Sequence, residues 1–303
     1  MLQIKDIILL HLELVLFVTS APWILFILIV NLLEWIQIKR LNLTDQLIFG
    51  ISIATLSSVI IHIMYNSATL VLDTNLSNGL KVISSVLYVA SVSCTIWFYT
   101  WLSVHFCLKI VNINNYIYIY FQNNFCKIHR IIFFQTVLAA LFISLPPAWE
   151  ETETSLSNNT DFVSNDVPLE TVNTFHKITN AYCTVAFLLF CSSASIIIAS
   201  LFRHMKNIKG KDVGLRPNLG PHLRGAKFVT SLLVQNVIYF TATIMLSYGG
   251  KNVHLDHFGA ITTSIFYISS SLTLIKGNNK LDKKMDDMLL LCRFTEPQIN
   301  PTI

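Results

Sequence analysis

Long apolar stretches alternate with short polar breaks along the whole chain, and the apolar stretches exceed what a helix in a soluble domain buries. Seven stand out, near Ile7 to Leu33, Leu47 to Leu72, Val82 to Val111, Ile131 to Trp149, Ile178 to Leu201, Phe228 to Tyr248 and Phe258 to Ile275. A bilayer core about 30 Å thick takes roughly 20 apolar helical residues, so each stretch predicts one membrane span. An odd number of spans puts the two termini on opposite sides. Composition agrees: the 303 residues are 53% hydrophobic and only 13% charged, with mean hydropathy +0.58. These values belong to polytopic membrane proteins.

Lysines and arginines orient the bundle, because short loops rich in positive charge stay in the cytoplasm. With the N-terminus outside, the inner side collects Lys39, Arg40, Lys109, Lys127 and Arg130, the cluster from Arg203 to Lys227, and the tail from Lys276 to Arg293. Only Lys5, Lys81, Lys177 and Lys251 fall outside. The expected fold is therefore an all-α membrane protein, a seven-transmembrane helix bundle over residues 1–277 with its N-terminus outside. Residues 278–303 form a cytoplasmic amphipathic helix and tail, with Leu281, Met285, Met288 and Leu289 on one side beside Lys280, Lys283 and Lys284. A cleavable signal ending at Val18-Thr19-Ser20 is the competing reading of the start. Cleavage there leaves Ala21 to Leu33, too short to span.

Between the spans, the segment from Glu150 to Lys177 reads as a polar, acidic outer loop. It carries the glycosylation sequon at Asn158, and a second sequon at Asn75 lies in the first outer loop. Cys292 in the tail is a candidate for palmitoylation or a free thiol. No C-x-x-C and no His/Cys spacing suits zinc, and no cofactor is expected. Absence of an internal repeat argues against the duplicated architecture of many transporters.

The inner end of the third stretch carries a specific polar signature, W-F-Y-T-W-L-S-V-H-F-C-L-K-I-V-N from Trp97 to Asn112. It resembles the corresponding helix end of type 2 (bitter) taste receptors, roughly W-x-A-T-x-L-S-x-F-Y-x-L-K-I-A-N. Trp97, Thr100, Leu102, Ser103, Leu108, Lys109, Ile110 and Asn112 match, whereas Tyr99, His105, Phe106 and Val111 depart. Further fragments are similar in order and spacing. Asn31, Glu34 and Trp35 resemble N-x-x-E-W, Asp45-Gln46 the D-Q of the second helix, and Ser200 to Lys206 the S-L-x-x-H-x-x of the fifth. His222 to Lys227 resembles H-I-K-A-L-K, Tyr239-Phe240 matches Y-F, and Leu274 to Leu281 resembles L-I-x-G-N-x-K-L. Other family positions differ: Ile24 stands for an asparagine, Thr55 for an arginine, Tyr267 for a proline and Ser270-Ser271 for an H-S/H-P pair. No cysteine lies in the long outer loop or at the outer end of the third span, so the bridge of rhodopsin-like receptors cannot form.

The resemblance implies a plasma-membrane receptor that is no enzyme, takes bitter small molecules from outside and activates a heterotrimeric, gustducin-like G protein. Membrane lipids surround it, and no nucleic acid is involved. Its ligand pocket is expected between the outer helix halves. Tyr88 and Val92 share one face of the third span, at positions where the family meets ligand with an aromatic and an asparagine. Valine there favours less polar agonists. His257, Ala260 and Ser264 share a face of the seventh span; Ala260 stands where some members carry an acid, so that position selects for no cation. Asn236, Tyr239 and Thr243 share a face of the sixth, with Tyr239 either the pocket floor or a core residue. His62, Tyr65 and Asn66 on the second span line a cavity or pair with one another, and Glu13, the one acid deep in a span, is functional or pairs between helices. His254, Asp256 and His257 read as a solvated loop end rather than a metal site. Lys109, Arg203, His204, Arg224 and Lys227 surround the inner opening, as G-protein contacts or as positive-inside anchors. A vomeronasal type 1-like pheromone receptor is the near alternative, and a small-solute transporter or channel the distant one.

Overall fold

A computed structural model describes residues 4–71, 78–111, 116–157, 169–209, 220–249 and 253–295. Eight helices follow in order: α1 (Ile4–Ile38), α2 (Leu43–Val71), α3 (Asn78–Ile110), α4 (Tyr116–Ser157), α5 (Leu169–Lys209), α6 (Gly220–Gly249), α7 (Val253–Gly277) and α8 (Asn279–Thr295). Each of α1 to α7 contains a segment long and apolar enough to cross a membrane. The sequence-expected spans all fall inside these helices or end within a residue of them. Two helices run further than expected, because α4 continues to Ser157 and α5 starts at Leu169. Much of the segment read as an outer loop is thus helical, and polarity alone was the wrong signal there. Glu150, Glu151 and Glu153 are good helix formers, and no glycine follows to stop the helix. The sequons at Asn75 and Asn158 lie outside the described residues.

The helices close into a ring, with α1 against α2 and α7, α6 against α5 and α7, and α3 packed on α2, α4 and α5. Apolar side chains point outward: Phe134, Phe142, Leu188, Val234 and Ile265 are exposed, as a lipid-facing surface requires. Small hydroxylated residues instead fill the interior, among them Ser52, Ser58, Ser93, Thr95, Ser193 and Thr263. Lipid is as apolar as leucine, so helices associate through close packing and hydrogen bonds rather than the hydrophobic effect. Accordingly Thr100 Oγ1 donates across to Ala186 O at 2.9 Å and Ser103 Oγ meets Ser193 Oγ at 2.7 Å, tying α3 to α5. Trp101 Nε1 donates to Thr136 Oγ1 at 3.0 Å, tying α3 to α4.

Helix ends are finished by side chains. Tyr118 hydroxyl donates to Cys107 O at 2.8 Å and lies 2.9 Å from Val111 O, meeting carbonyls that the end of α3 leaves open. Burial, with the nearby Cys107, pushes that phenol up to about 12 and keeps it a donor. Asn278 caps α8: its Oδ1 accepts from Lys280 N at 3.1 Å while its Nδ2 donates to Asp45 Oδ1 at 2.8 Å. Leu281 is fully buried and Met285 packs on the core, whereas Met288 and Leu289 are exposed beside Lys283 and Lys284. That division suits a helix lying on the inner membrane face.

Candidate functional site

At the outer end of the bundle one carboxylate gathers two imidazoles. Glu13 lies near the start of the α1 span, His62 near the end of the α2 span, and His257 opens the α7 span. Antiparallel threading brings those three positions to one level. His257 Nδ1 donates to Glu13 Oε1 at 2.5 Å, and His62 Nε2 stands 3.6 Å from Oε2, while Glu13 itself is only 3% exposed. A carboxylate this deep needs such partners, because desolvating an unpaired charge costs several kcal/mol. Glu13 thus joins α1 to α7 and faces α2. His62 and His257, expected on the pocket, point at that carboxylate.

Aromatic rings lead inward from this cluster. The Tyr88 ring lies 6.4 Å from that of His62, His62 lies 4.0 Å from Phe17, and Phe17 lies 6.2 Å from Tyr267. Tyr267 hydroxyl is 3.4 Å from Tyr239 hydroxyl, and Tyr239 stacks on Phe266 at 4.1 Å, which meets Tyr99 edge-on at 5.6 Å. Rings from α3, α2, α1, α7 and α6 thus touch in succession from the outer mouth to the middle of the bundle. Tyr99, Tyr267 and Phe266 are absent from the expected site residues, although the resemblance puts a family proline at Tyr267. With no proline to free backbone groups, α7 runs unbroken there and carries a large ring into the core.

Other expected site residues are enclosed. Tyr239 is 1% exposed, and Val92, Asn236, Ala260 and Ser264 are also buried. Their polar atoms bond within their own helices: Asn236 Nδ2 to Leu232 O at 2.9 Å, Ser264 Oγ to Ile261 O at 2.8 Å, and half-buried Thr243 Oγ1 to Tyr239 O at 2.9 Å. Tyr65 and Asn66 lie on α2, with side chains outside the described residues, as do those of His254 and Asp256. Among the described residues no group of three or more metal-ligating side chains is arranged to hold a metal ion. A shallow recess in the inner half, lined by Gln46, Phe98, Trp101, His129 and Phe133, lies at the other end of the bundle from Glu13.

On the inner face, Lys109, Arg203 and Lys227 are exposed at the ends of α3, α5 and α6. His204 and Arg224 occupy the same ends, with side chains outside the described residues. Beside them lies a cluster that the sequence scattered among separate fragments. Lys280 Nζ donates to Asn31 Oδ1 at 2.8 Å, pairs with Glu34 and lies 3.0 Å from Asp45 Oδ2. Phe228 of α6 packs edge-on against Phe106 of α3 at 5.8 Å and covers Gly277 at the end of α7, where a Cβ would meet its ring at 2.0 Å.

A ring of seven membrane helices, a polar and aromatic cluster at the outer mouth, and a basic inner face with a short eighth helix define the class of G-protein-coupled receptors. The profile of the taste receptor protein (TAS2R) family matches residues 1–293, and the chain belongs to that family. It is 27% identical to taste receptor type 2 member 9 of Homo sapiens over 278 residues, covering 87% of each chain. Taste receptor type 2 member 8 of Pan troglodytes is 23% identical over 280 residues, covering 88% of this chain and 90% of its own. The protein is thus a bitter taste receptor family member, a plasma-membrane receptor rather than an enzyme.

Proposed function

We propose that this receptor admits bitter small molecules to an outward-facing site between α2, α3, α6 and α7, and answers by engaging a heterotrimeric, gustducin-like G protein at its inner face. The observation that carries this reading is the run of touching rings from Tyr88 at the outer end to Tyr239 on α6. Ligand contact at Tyr88, Val92, His62, Tyr65, Asn66, His257, Ala260 or Ser264 biases the packing beneath it. Tyr239, Asn236 and Thr243 belong to the helix whose inner end must separate from α5 to open the bundle. Lys109, Arg203, His204, Arg224 and Lys227 then meet the G protein, and α8 rests on the membrane, with Cys292 as its lipidation point. Asn158 and Asn75 carry glycans on the outer side.

The test is expression with a promiscuous G protein and calcium recording across a panel of bitter compounds. Calcium release from cells displaying the receptor, and none from untransfected cells, is the expected result. Silence at verified surface level, accompanied by ion flux or solute uptake, would replace the receptor reading with a transporter or channel.

A further inference from the structure

We infer that Glu13 is the counter-ion for a cationic small molecule, one bearing an ammonium group, that enters at the outer end between α1, α2, α3 and α7. This rests on the receptor reading and adds the chemical class of ligand to it.

Four observations converge on it. First, the carboxylate is nearly enclosed yet lies close to the outer end of its span, where solutes arrive from outside. Second, its two oxygens are unequally served. Oε1 accepts from His257, whereas Oε2 is 3.6 Å from His62 Nε2, beyond hydrogen-bond reach, and among the described residues it accepts no hydrogen bond. An ionised carboxylate offers about four acceptor sites, so capacity remains. Third, the surroundings are aromatic: Phe17 one turn below Glu13 stacks near His62, and Tyr88 faces His62 from α3. Ring faces attract a desolvated ammonium ion. Fourth, among the described residues the one hydrogen-bond donor to the carboxylate is His257, on Oε1, which leaves Oε2 to a ligand. An ammonium group binding Oε2 forms a charge-assisted pair in a low-dielectric site, where such pairs are strongest. The expectation drawn from Ala260 concerned α7 alone; here α1 brings the missing acid to the same mouth.

The experiment uses the full-length receptor with calcium readout and two sets of bitter compounds of matched size, protonated primary or secondary amine salts and uncharged molecules. At least one amine salt should activate the unaltered receptor. Glu13→Gln should raise its half-maximal concentration about tenfold or more, and shift uncharged agonists by less than about threefold. His257→Leu should move the salt the other way, to lower concentration, because it removes a competing donor from the carboxylate. A merely structural Glu13–His257 pair predicts equal losses for both compound sets in both variants, and that outcome overturns the proposal. So does activation by uncharged compounds alone. If Glu13→Gln fails to reach the surface, the His257→Leu arm decides: a selective gain for the salt supports the counter-ion, and no change or a common loss rejects it. Silence of the unaltered receptor to every compound overturns the receptor reading itself, and this proposal with it.

Discussion

Lys280 Nζ lies 3.0 Å from Asp45 Oδ2, fastening the first turn of α8 to the first turn of α2. Asn278 reaches the other oxygen of the same carboxylate, and Asn31 and Glu34 bring in α1. One cation thus holds three helices at the inner end. Higher in the bundle, Ile24, Thr55, Ser270 and Ser271 stand where the resemblance expects the family's polar groups. Among the described residues Thr55 and Ser271 bond within their own helices, to Ile51 O and Tyr267 O at 2.9 and 2.7 Å.

Removing the cation leaves Glu34 and a largely buried Asp45 facing each other. Lys280→Met should cost about 1–3 kcal/mol, the range between an exposed pair and a broken buried one. Thermal denaturation in detergent should show a melting point lower by several degrees, and adding Asp45→Asn should recover part of the loss. An unchanged melting point would make the cluster a solvated surface feature.

The aromatic core separates packing from hydrogen bonding at Tyr239. Its hydroxyl contact with Tyr267 is long at 3.4 Å, whereas its ring is enclosed and stacked on Phe266. Tyr239→Phe should therefore keep surface level and agonist response close to normal, and Tyr239→Ala should lose about 3–5 kcal/mol and most surface expression. Loss of response in Tyr239→Phe at normal surface level would make the hydroxyl itself the transmitter.

Gly277 and Phe228 set how closely α6 approaches α7 on the inner side. A methyl group at Gly277 would occupy the space of the Phe228 ring, which must leave its seat against Phe106. Gly277→Ala should therefore loosen the inner end of α6 and raise agonist-free signalling, read as basal calcium or inositol phosphate at matched surface level. A basal signal equal to that of the unaltered receptor would mean that the ring swings aside and the helix stays.

How much of this was legible beforehand differs by feature. The spans were plain, because a membrane demands long apolar helices and little else resembles them. The inner cluster was present as letters but not as a site: Asn31 and Lys280 are 249 positions apart, and only the closed ring of helices brings α1 to α8. Glu13 was noticed as the one acid within a span, yet its partners depended on which helix faces meet. The extent of α4 and α5 is not legible in polarity, since glutamates favour a helix as readily as a solvated loop. Enclosure of Val92, Asn236, Ala260 and Ser264 arises from packing across helices, which periodicity along one helix does not encode.

The most direct measurement of the central claim, that ligand recognition at the outer end drives the inner face, is the dose–response of Tyr88→Ala across every agonist found. Tyr88 stands at the head of the ring series through His62 and Phe17, and it touches none of the inner-face clusters described above. The account predicts responses abolished or shifted to higher concentration for all agonists at unchanged surface level. Curves that superimpose on those of the unaltered receptor would contradict it and make Tyr88 a packing residue.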